Sequence, residues 1–193
     1  MTTYLPRIER PHGFVLKLGY RVLRRQLGKV PTPIAVFSAR MPLPFLLFSG
    51  RISRLDRRLK LPASTATLVR EQVARTNGCQ FCMDISRWFA LRTAPDDVVR
   101  IDALPEYPTS PLFSEAERAA LDYATELTRD RHVGPATFER LTRHFGEREI
   151  CEVVWLVASE HFYNVANHGL GIGSDGLCEL SAARPRRTSA TRT

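Results

Sequence analysis

The sequence predicts an all-α protein. Arginine and alanine are abundant, whereas the Val/Ile/Thr alternation typical of strands is rare. Apolar residues recur at helical spacing, and prolines and glycines punctuate the pattern. The 193 residues, 44% apolar and 25% charged, are enough for one globular domain with a sizeable core, or for one domain with an appendage.

Residues 1–60 predict a basic N-terminal helical extension. An amphipathic helix is expected over 13–28, where apolar and basic side chains alternate at helical spacing. Further helical pieces are expected at 34–40 and 43–59, because prolines interrupt the pattern between them. The apolar stripe of the first helix consists of Phe14, Leu16, Leu18, Val22, Leu23 and Leu27.

Residues 61–178 predict a helical domain, and 179–193 a polar, basic, disordered tail. Ser114 and Glu117 have the spacing of a capping box at a helix start. Helices are expected over 65–76, from the Asn77 region to about Arg92, over 95–101, from Ser114 to about Thr128, after Pro135, and from Glu147 to about Asn167. Their inward side chains are expected to include Leu68, Val69, Val73, Ile85, Trp88 and Phe89.

The net charge of +8 is unevenly distributed. Residues 1–60 carry 13 Lys/Arg against two acids, whereas residues 61–178 carry 11 against 17. A basic segment can bind nucleic acid or an anionic membrane, or its arginines can solvate helices or meet an acidic patch on another subunit. The basic residues are not interleaved with aromatics as in single-strand binders, so we expect no nucleic-acid partner.

The sequence predicts a cytoplasmic protein without stable membrane insertion. Its start lacks the pattern of a signal peptide. The longest apolar run, 41–50, is too short to span a bilayer and contains two prolines. In a reducing compartment, a close cysteine pair is more often redox-active or metal-binding than a structural cross-link.

Such a pair stands in the stretch "NGCQFCMDIS", residues 77–86. With Asn77 as the N-cap, Cys79 and Cys82 fall on one face at the start of a helix, where their sulfurs can bond. The positive end of the helix dipole favours a thiolate at Cys79 over Cys82. This arrangement suits a reversible dithiol/disulfide couple.

Two other interpretations of the pair stay open. Cysteines also pack as small hydrophobes. Zinc needs about four ligands, and the remaining candidates form no second close pair; they are Cys151, Cys178, His161 and His168. Cys151 is expected in the core. We therefore expect neither a metal nor a cofactor.

Thiol chemistry needs a proton carrier, and the acids nearest the pair are Glu71 and Asp84. Either can equally be a solvated surface carboxylate. Polar residues also interrupt the long apolar helix, and they either line a pocket, are satisfied in the core, or form an interface. They are Glu160, His161, Asn164 and His168.

Three segments together resemble the carboxymuconolactone decarboxylase superfamily, on its alkylhydroperoxidase D-like side. They are "LVREQVARTNGCQFCMDISRWFA", "SEAERAALDYATELTR" and "FGEREICEVVWLVASEHFYNVANHGLGI". The resemblance covers residues 30–178 and implies an alkylhydroperoxidase D-like helical bundle that forms a homo-oligomer. It also implies peroxide reduction, with Cys82 as the peroxidatic thiol, Cys79 as its resolving partner and a separate thiol reductant. This order reverses the one that the helix dipole favours.

The chain departs from the family pattern at the proton relay. Thr67 stands where the family has a glutamate, Ser86 where it has a histidine, and Phe81 where it has a second histidine. We therefore expect slow peroxide turnover. Glu71 is the first candidate for a substitute, Asp84 the second, and His161 the fallback.

Two other functions remain open on the sequence alone. One is a cofactor-free enzyme of the carboxymuconolactone decarboxylase type, acting on a small organic acid. The other is a non-catalytic oligomeric scaffold that binds a partner through its basic N-terminal third.

Overall fold

The computed structural model describes residues 3–182, with side chains over 3–179. This described part is helical throughout, without strands, so the all-α prediction is confirmed. Its α-helices are α1 (Phe14–Leu27), α2 (Pro42–Asp56), α3 (Ala63–Thr76), α4 (Gln80–Thr93), α5 (Pro95–Asp102), α6 (Glu115–Asp130), α7 (Pro135–Thr142), α8 (Glu147–Gly169) and α9 (Leu177–Ala182). A π-helical turn (Ile34–Ser38) joins α1 to α2, and a 3-10 turn (Leu104–Glu106) follows α5.

Helix α3 is the centre of the bundle and packs against α6 and α8. The predicted inward residues Leu68, Val69 and Val73 are fully buried, whereas the same prediction is wrong for Phe89 of α4, which is exposed. Val69 and Val73 join the main core with apolar side chains of α6 and α8. Leu68 joins a second cluster with residues of α4, α5 and α6. Burial on both sides holds α3, and the turn that follows it, in a fixed position.

The helix ends show where local patterns determine the backbone. Ser114 and Glu117 form the predicted capping box at the start of α6. Gly78, with φ +69°, makes the left-handed turn between α3 and α4. The prediction that Asn77 caps the next helix is wrong, because Asn77 ends α3 and Cys79 is the N-cap of α4. The side chain of Asn77 instead binds Asn164 on α8.

Helix α1 is amphipathic, but only part of the expected apolar stripe is buried. Phe14 is 79% exposed, and Leu18 and Val22 also face outward. Leu27 of the expected stripe is buried, and so is Tyr20, which lies outside that stripe. Leu27 packs with Trp88 of α4 and Leu177 of α9, which places α1 beside the helix that carries the cysteines.

Asp175 fastens the segment after α1 to the bundle. Its carboxylate accepts hydrogen bonds from the Thr32 backbone N–H at 2.7 Å and the Thr32 hydroxyl at 2.6 Å, and pairs with Lys29 at 2.9 Å. Asp84 of α4 in turn accepts a hydrogen bond from the Asp175 backbone N–H at 3.2 Å. The predicted extension is thus tied to the cysteine-bearing helix.

The first residues of the predicted disordered tail are helical. Residues 179–182 belong to α9, whose first residue Leu177 is fully buried, and the rest of the predicted tail lies outside the described residues. No helix in the described part of the chain is long and apolar enough to cross a bilayer.

Candidate active site

The two cysteines lie at the start of α4 and are disulfide-bonded, with a Cα–Cα distance of 5.3 Å. The left-handed turn at Gly78 allows the chain to reverse between α3 and α4, so both cysteines pack under α8. Cys79 is 1% exposed and Cys82 is 5% exposed. The predicted proximity of the sulfurs is therefore present, and the pair is shielded from bulk solvent.

A cavity of about 480 Å³ lies against the pair. Cys82 is among its lining residues, whereas Cys79 lies behind Cys82 and does not line it. A molecule in the cavity therefore meets Cys82 first. Cys82 is also the cysteine that the family resemblance implies as the peroxidatic thiol, whereas the helix dipole favours Cys79.

Side-chain amides of α8 surround the sulfurs. Asn164 Nδ2 lies 3.1 Å from Cys82 Sγ, and Asn167 Nδ2 lies 3.4 Å from the same atom and 3.5 Å from Cys79 Sγ. The Asn77 amide donates to Asn164 Oδ1 at 2.8 Å, which fixes the Asn164 amide with its nitrogen toward Cys82. Two amide donors directed at one sulfur stabilise its thiolate form.

The carboxyl group of Glu160 contacts this arrangement directly. Asn164 Nδ2 donates to Glu160 Oε1 at 2.8 Å, and Glu160 lines the same cavity as Cys82. Because both atoms bond the same nitrogen, Glu160 Oε1 lies within about 6 Å of Cys82 Sγ. One water or substrate oxygen fits between them.

Burial raises the pKa of Glu160, and Arg70 opposes that shift. Arg70 Nη1 lies 3.6 Å from Glu160 Oε2, but its Nη2 lies 2.7 Å from Asp56 Oδ2. Its charge is therefore divided between two carboxylates. A buried carboxyl group with a raised pKa can hold a proton at a pH where an ordinary glutamate cannot.

Glu71, the first sequence candidate, is buried one layer behind the cavity. Burial raises its pKa to about 7, against the lowering effects of Arg75, whose Nε lies 3.0 Å from Glu71 Oε1, and of the Ser86 hydroxyl. Ser86 lines the cavity and Glu71 does not. Glu71 is thus a buried carboxyl group and not the expected alternative of a solvated surface acid.

The second candidate, Asp84, faces away from the cavity and anchors the start of α9. Burial alone would raise its pKa, but backbone N–H groups of Leu177 and Cys178 and the Ser174 hydroxyl donate to its carboxylate and bring its pKa below the usual value. These donors already occupy the Asp84 carboxylate oxygens, and Asp84 does not line the cavity.

His161, the fallback, lies on the side of α8 that faces α6. Its Nε2 is 3.3 Å from the Thr128 hydroxyl, and Arg131 Nη1 lies 3.4 Å from its Nδ1. Burial, and then the charge of Arg131, lower its pKa. It does not line the cavity. His168 binds the Asn77 carbonyl at 2.9 Å and helps to hold the turn before the cysteines.

Thr67, Ser86 and Phe81, the three departures from the family relay, all line the cavity. Polar residues beside the cysteines come from α8, where Glu160, Asn164 and Asn167 follow the i, i+4, i+7 spacing of one helix face. That spacing is visible in the sequence for Glu160 and Asn164. Nothing in the sequence singles out Asn167 or Arg70.

The remaining cysteines take no part in this site. The expectation that Cys151 belongs to the core is wrong, because it is exposed on α8. The Cys178 thiol donates to the Asp84 carbonyl at 3.4 Å. Among the side chains of residues 3–179, no group of three or more His, Cys, Asp and Glu is arranged to hold a metal ion.

Fold and site together define an all-helical protein with a redox-type Cys-x-x-Cys pair at a cavity wall. A scan against models of known families finds no match. The chain is 32% identical over 187 residues to the uncharacterized protein YnjA of Escherichia coli (strain K12), covering 93% of this chain and 95% of YnjA. It therefore belongs to the same family as YnjA, and its fold is that of the carboxymuconolactone decarboxylase superfamily, of the alkylhydroperoxidase D-like type.

Two solved structures illustrate the fold. The debrominase Bmp8, as a cysteine-to-alanine variant in complex with 2,3,4-tribromopyrrole, has a TM-score of 0.75 at 22% identity, over 94% of this chain and 97% of Bmp8. An uncharacterized peroxidase-related protein from Ralstonia eutropha JMP134, with an alkylhydroperoxidase AhpD core, has a TM-score of 0.72 at 18% identity. The match covers 91% of this chain and 94% of that protein. The predicted helical bundle is confirmed.

Proposed function

We propose that the protein is a thiol-dependent reductase of organic hydroperoxides, with Cys82 as the attacking thiol and Cys79 as the resolving thiol. The observation that carries the proposal is the position of Cys82 on the cavity wall, with Cys79 bonded to it from behind. Amide donors beside Cys82 favour the thiolate, which is the nucleophilic form.

The reaction has three steps. The Cys82 thiolate attacks the terminal oxygen of the hydroperoxide; the O–O bond breaks, the sulfur becomes a sulfenic acid, and the alkoxide takes a proton and leaves as an alcohol. The Cys79 thiol then attacks the Cys82 sulfur, the S–O bond breaks, and water leaves as the disulfide forms. An external thiol reductant returns both cysteines to the reduced state.

Glu160 is the proton carrier in this proposal. It receives the proton that Cys82 loses and delivers it to the departing alkoxide. Its proximity to Cys82 through Asn164 and its raised pKa support this role. The pKa of Glu71 is raised as well, but Glu71 does not line the cavity.

The proposal is tested by counting thiols. Reduced protein that receives one equivalent of cumene hydroperoxide should lose two thiols, form one intramolecular 79–82 disulfide and release one equivalent of alcohol. Cys151→Ser, which changes an exposed cysteine outside the site, is the matched control and should behave as the unchanged protein does. If Cys79 and Cys82 stay fully alkylatable after oxidant, the proposal is wrong.

A second candidate is reductive removal of halogen from an aromatic ring. The likeness to the debrominase Bmp8 and the aromatic side chains around the cavity favour it. Two thiols would be oxidised to the disulfide, the carbon–halogen bond would be replaced by a carbon–hydrogen bond, and a halide ion and a proton would leave. Release of bromide from 2,3,4-tribromopyrrole by the reduced protein tests this reaction directly.

The two functions left open by the sequence fit the cavity less well. An organic acid would meet the carboxyl groups of Glu160 and Asp97, and the arginine in the lining, Arg70, is already paired. A scaffold would not need a cavity against a cysteine pair. These observations favour thiol chemistry over both.

We further propose that the protein acts as a homo-oligomer in the cytoplasm, where thiol reductants are present. The number of large apolar side chains exposed along α1 and α2 supports self-association, which would bury them. They include Phe14, Leu18, Leu43, Leu46 and Leu47.

A further inference from the structure

The cavity is enclosed by two parts of the chain that are distant in sequence. One side is built by the N-terminal extension, which contributes Leu27, Ile34, Phe37 and Phe45 among others. The opposite side is built by α4 and α8, with side chains such as Phe89 and Tyr163. Without the extension, Cys82 would lie at an open apolar surface. With it, the same surface becomes one wall of a partly open pocket.

The polar groups of the lining are few and include those next to Cys82. Glu160, Asn167 and Arg70 lie at the α3–α8 side. Most of the remaining wall is aliphatic or aromatic. A volume of about 480 Å³ fits a small organic ligand, whereas a water-sized molecule takes only about 30 Å³ and would leave most of the wall without contacts.

The charge of the lining is unfavourable for anions. Arg70 is the one cationic residue among the described residues of the lining, and both Asp56 and Glu160 pair with it. Asp97, another lining residue, has Arg100 as its ion-pair partner at 3.9 Å, outside the lining. A carboxylate or phosphate on the ligand would therefore lose its hydration without gaining a free cationic partner.

We propose that the cavity selects an uncharged, bulky apolar ligand, aromatic or branched, with its reactive group at Cys82, and that the N-terminal extension is the part that selects it. The placement of the reactive group rests on the proposed function. The selection itself rests only on the walls and charges of the cavity. The ties from Asp175 to Thr32 and Lys29 hold the selecting segment in place.

The experiment measures binding of an unreactive product analogue, so that it needs no turnover. The disulfide form of the protein is titrated calorimetrically with 2-phenyl-2-propanol and with 4-(2-hydroxypropan-2-yl)benzoate, which adds one carboxylate to the same skeleton. We expect the neutral alcohol to bind at least about tenfold more tightly. Equal or tighter binding of the carboxylate, or no binding of the alcohol, overturns the proposal.

Two variants test the role of the extension. Ile34→Trp should fill the cavity and weaken binding of the alcohol more than tenfold, and Phe37→Ala should weaken it several-fold. Phe138→Ala, a change of the same kind at a half-exposed position outside the lining, should leave binding unchanged. Circular dichroism establishes that each variant is folded. Unchanged affinity in folded Ile34→Trp overturns the proposal.

The two proposals fail in different ways. Selective binding of the alcohol without any oxidation of Cys82 by cumene hydroperoxide would refute the proposed function but support the proposed ligand class. In the other case, cumene hydroperoxide and hydrogen peroxide would oxidise Cys82 at equal rates and the alcohol would not bind. That result would support the thiol chemistry but refute the proposed ligand class.

Discussion

Replacement of Glu160 by glutamine tests the proton relay. Glutamine keeps the volume of the side chain and an oxygen that can accept the hydrogen bond from Asn164, now 2.8 Å long. It also keeps the Asn164 contact to Cys82 at 3.1 Å, but it can neither accept nor deliver a proton at neutral pH. A positioned acid–base group contributes about 10²–10⁴-fold, so the rate of Cys82 oxidation should fall by about 100-fold or more.

The assay is a single turnover. Fully reduced protein is mixed with excess cumene hydroperoxide, and loss of the Cys82 thiol is followed over time at several pH values. The oxidation rate of the unchanged protein should fall at alkaline pH as Glu160 loses its proton. This alkaline limb of the pH–rate profile should lie at a higher pH than an ordinary glutamate would give, because burial raises the pKa of Glu160. Glu160→Gln should lack that limb.

Glu71→Gln is the matched control, because it removes a second buried carboxyl group with a raised pKa that lies outside the cavity. Its rate should stay within about threefold of the unchanged protein, a small effect beside that of a positioned acid–base group. A slow Glu71→Gln variant together with a normal Glu160→Gln variant would refute the relay derived from the cavity and restore the one expected from the sequence.

Further predictions concern stability, the family relay and assembly. Burial raises the pKa of Glu71 in the folded protein from 4.5 to about 7, so the folded state binds this proton more tightly than the unfolded state does. The free energy of unfolding should therefore fall by about 3 kcal/mol as the pH rises between these two values. Urea unfolding at pH 5 and pH 8 should show that Glu71→Gln loses less free energy of unfolding between these pH values than the unchanged protein does. An equal loss in the two proteins contradicts this prediction. The double change Thr67→Glu with Ser86→His restores the family's relay at two cavity-lining positions and should raise the peroxidase rate. A folded double variant with an unchanged rate counts against that prediction. Light scattering at micromolar concentration should report an oligomer, and a monomer near the chain mass of 21.9 kDa would contradict the proposed self-association.

Much of the fold follows from local sequence patterns. The capping box at Ser114 and the inward face of α3 depend on neighbouring residues, and the sequence predicts both. The orientation of α1 is different, because several of its apolar side chains face outward while Tyr20 is buried. Apolar spacing identifies an amphipathic helix but does not reveal which side meets the bundle.

The site required contacts between distant segments. Asn77 appears in the sequence as a helix cap, but it is bound by Asn164, 87 residues away. Glu160 and Asn164 can be recognised as polar interruptions of an apolar helix, yet the sequence does not say that their face meets Cys82. The enclosure of the cavity by residues such as Phe37 depends on ties to the segment around Asp175, which no local pattern indicates.

The central claim is that Cys82 is the thiol that meets the substrate, and trapping of its sulfenic acid tests this most directly. Reduced Cys79→Ser protein is treated with one equivalent of cumene hydroperoxide in the presence of dimedone, and the modified residue is identified by mass spectrometry. Without its resolving partner, the Cys82 sulfenic acid should persist, and the dimedone adduct should lie on Cys82. An adduct on Cys79 in the reciprocal Cys82→Ser protein, with none on Cys82 in Cys79→Ser, would contradict the account.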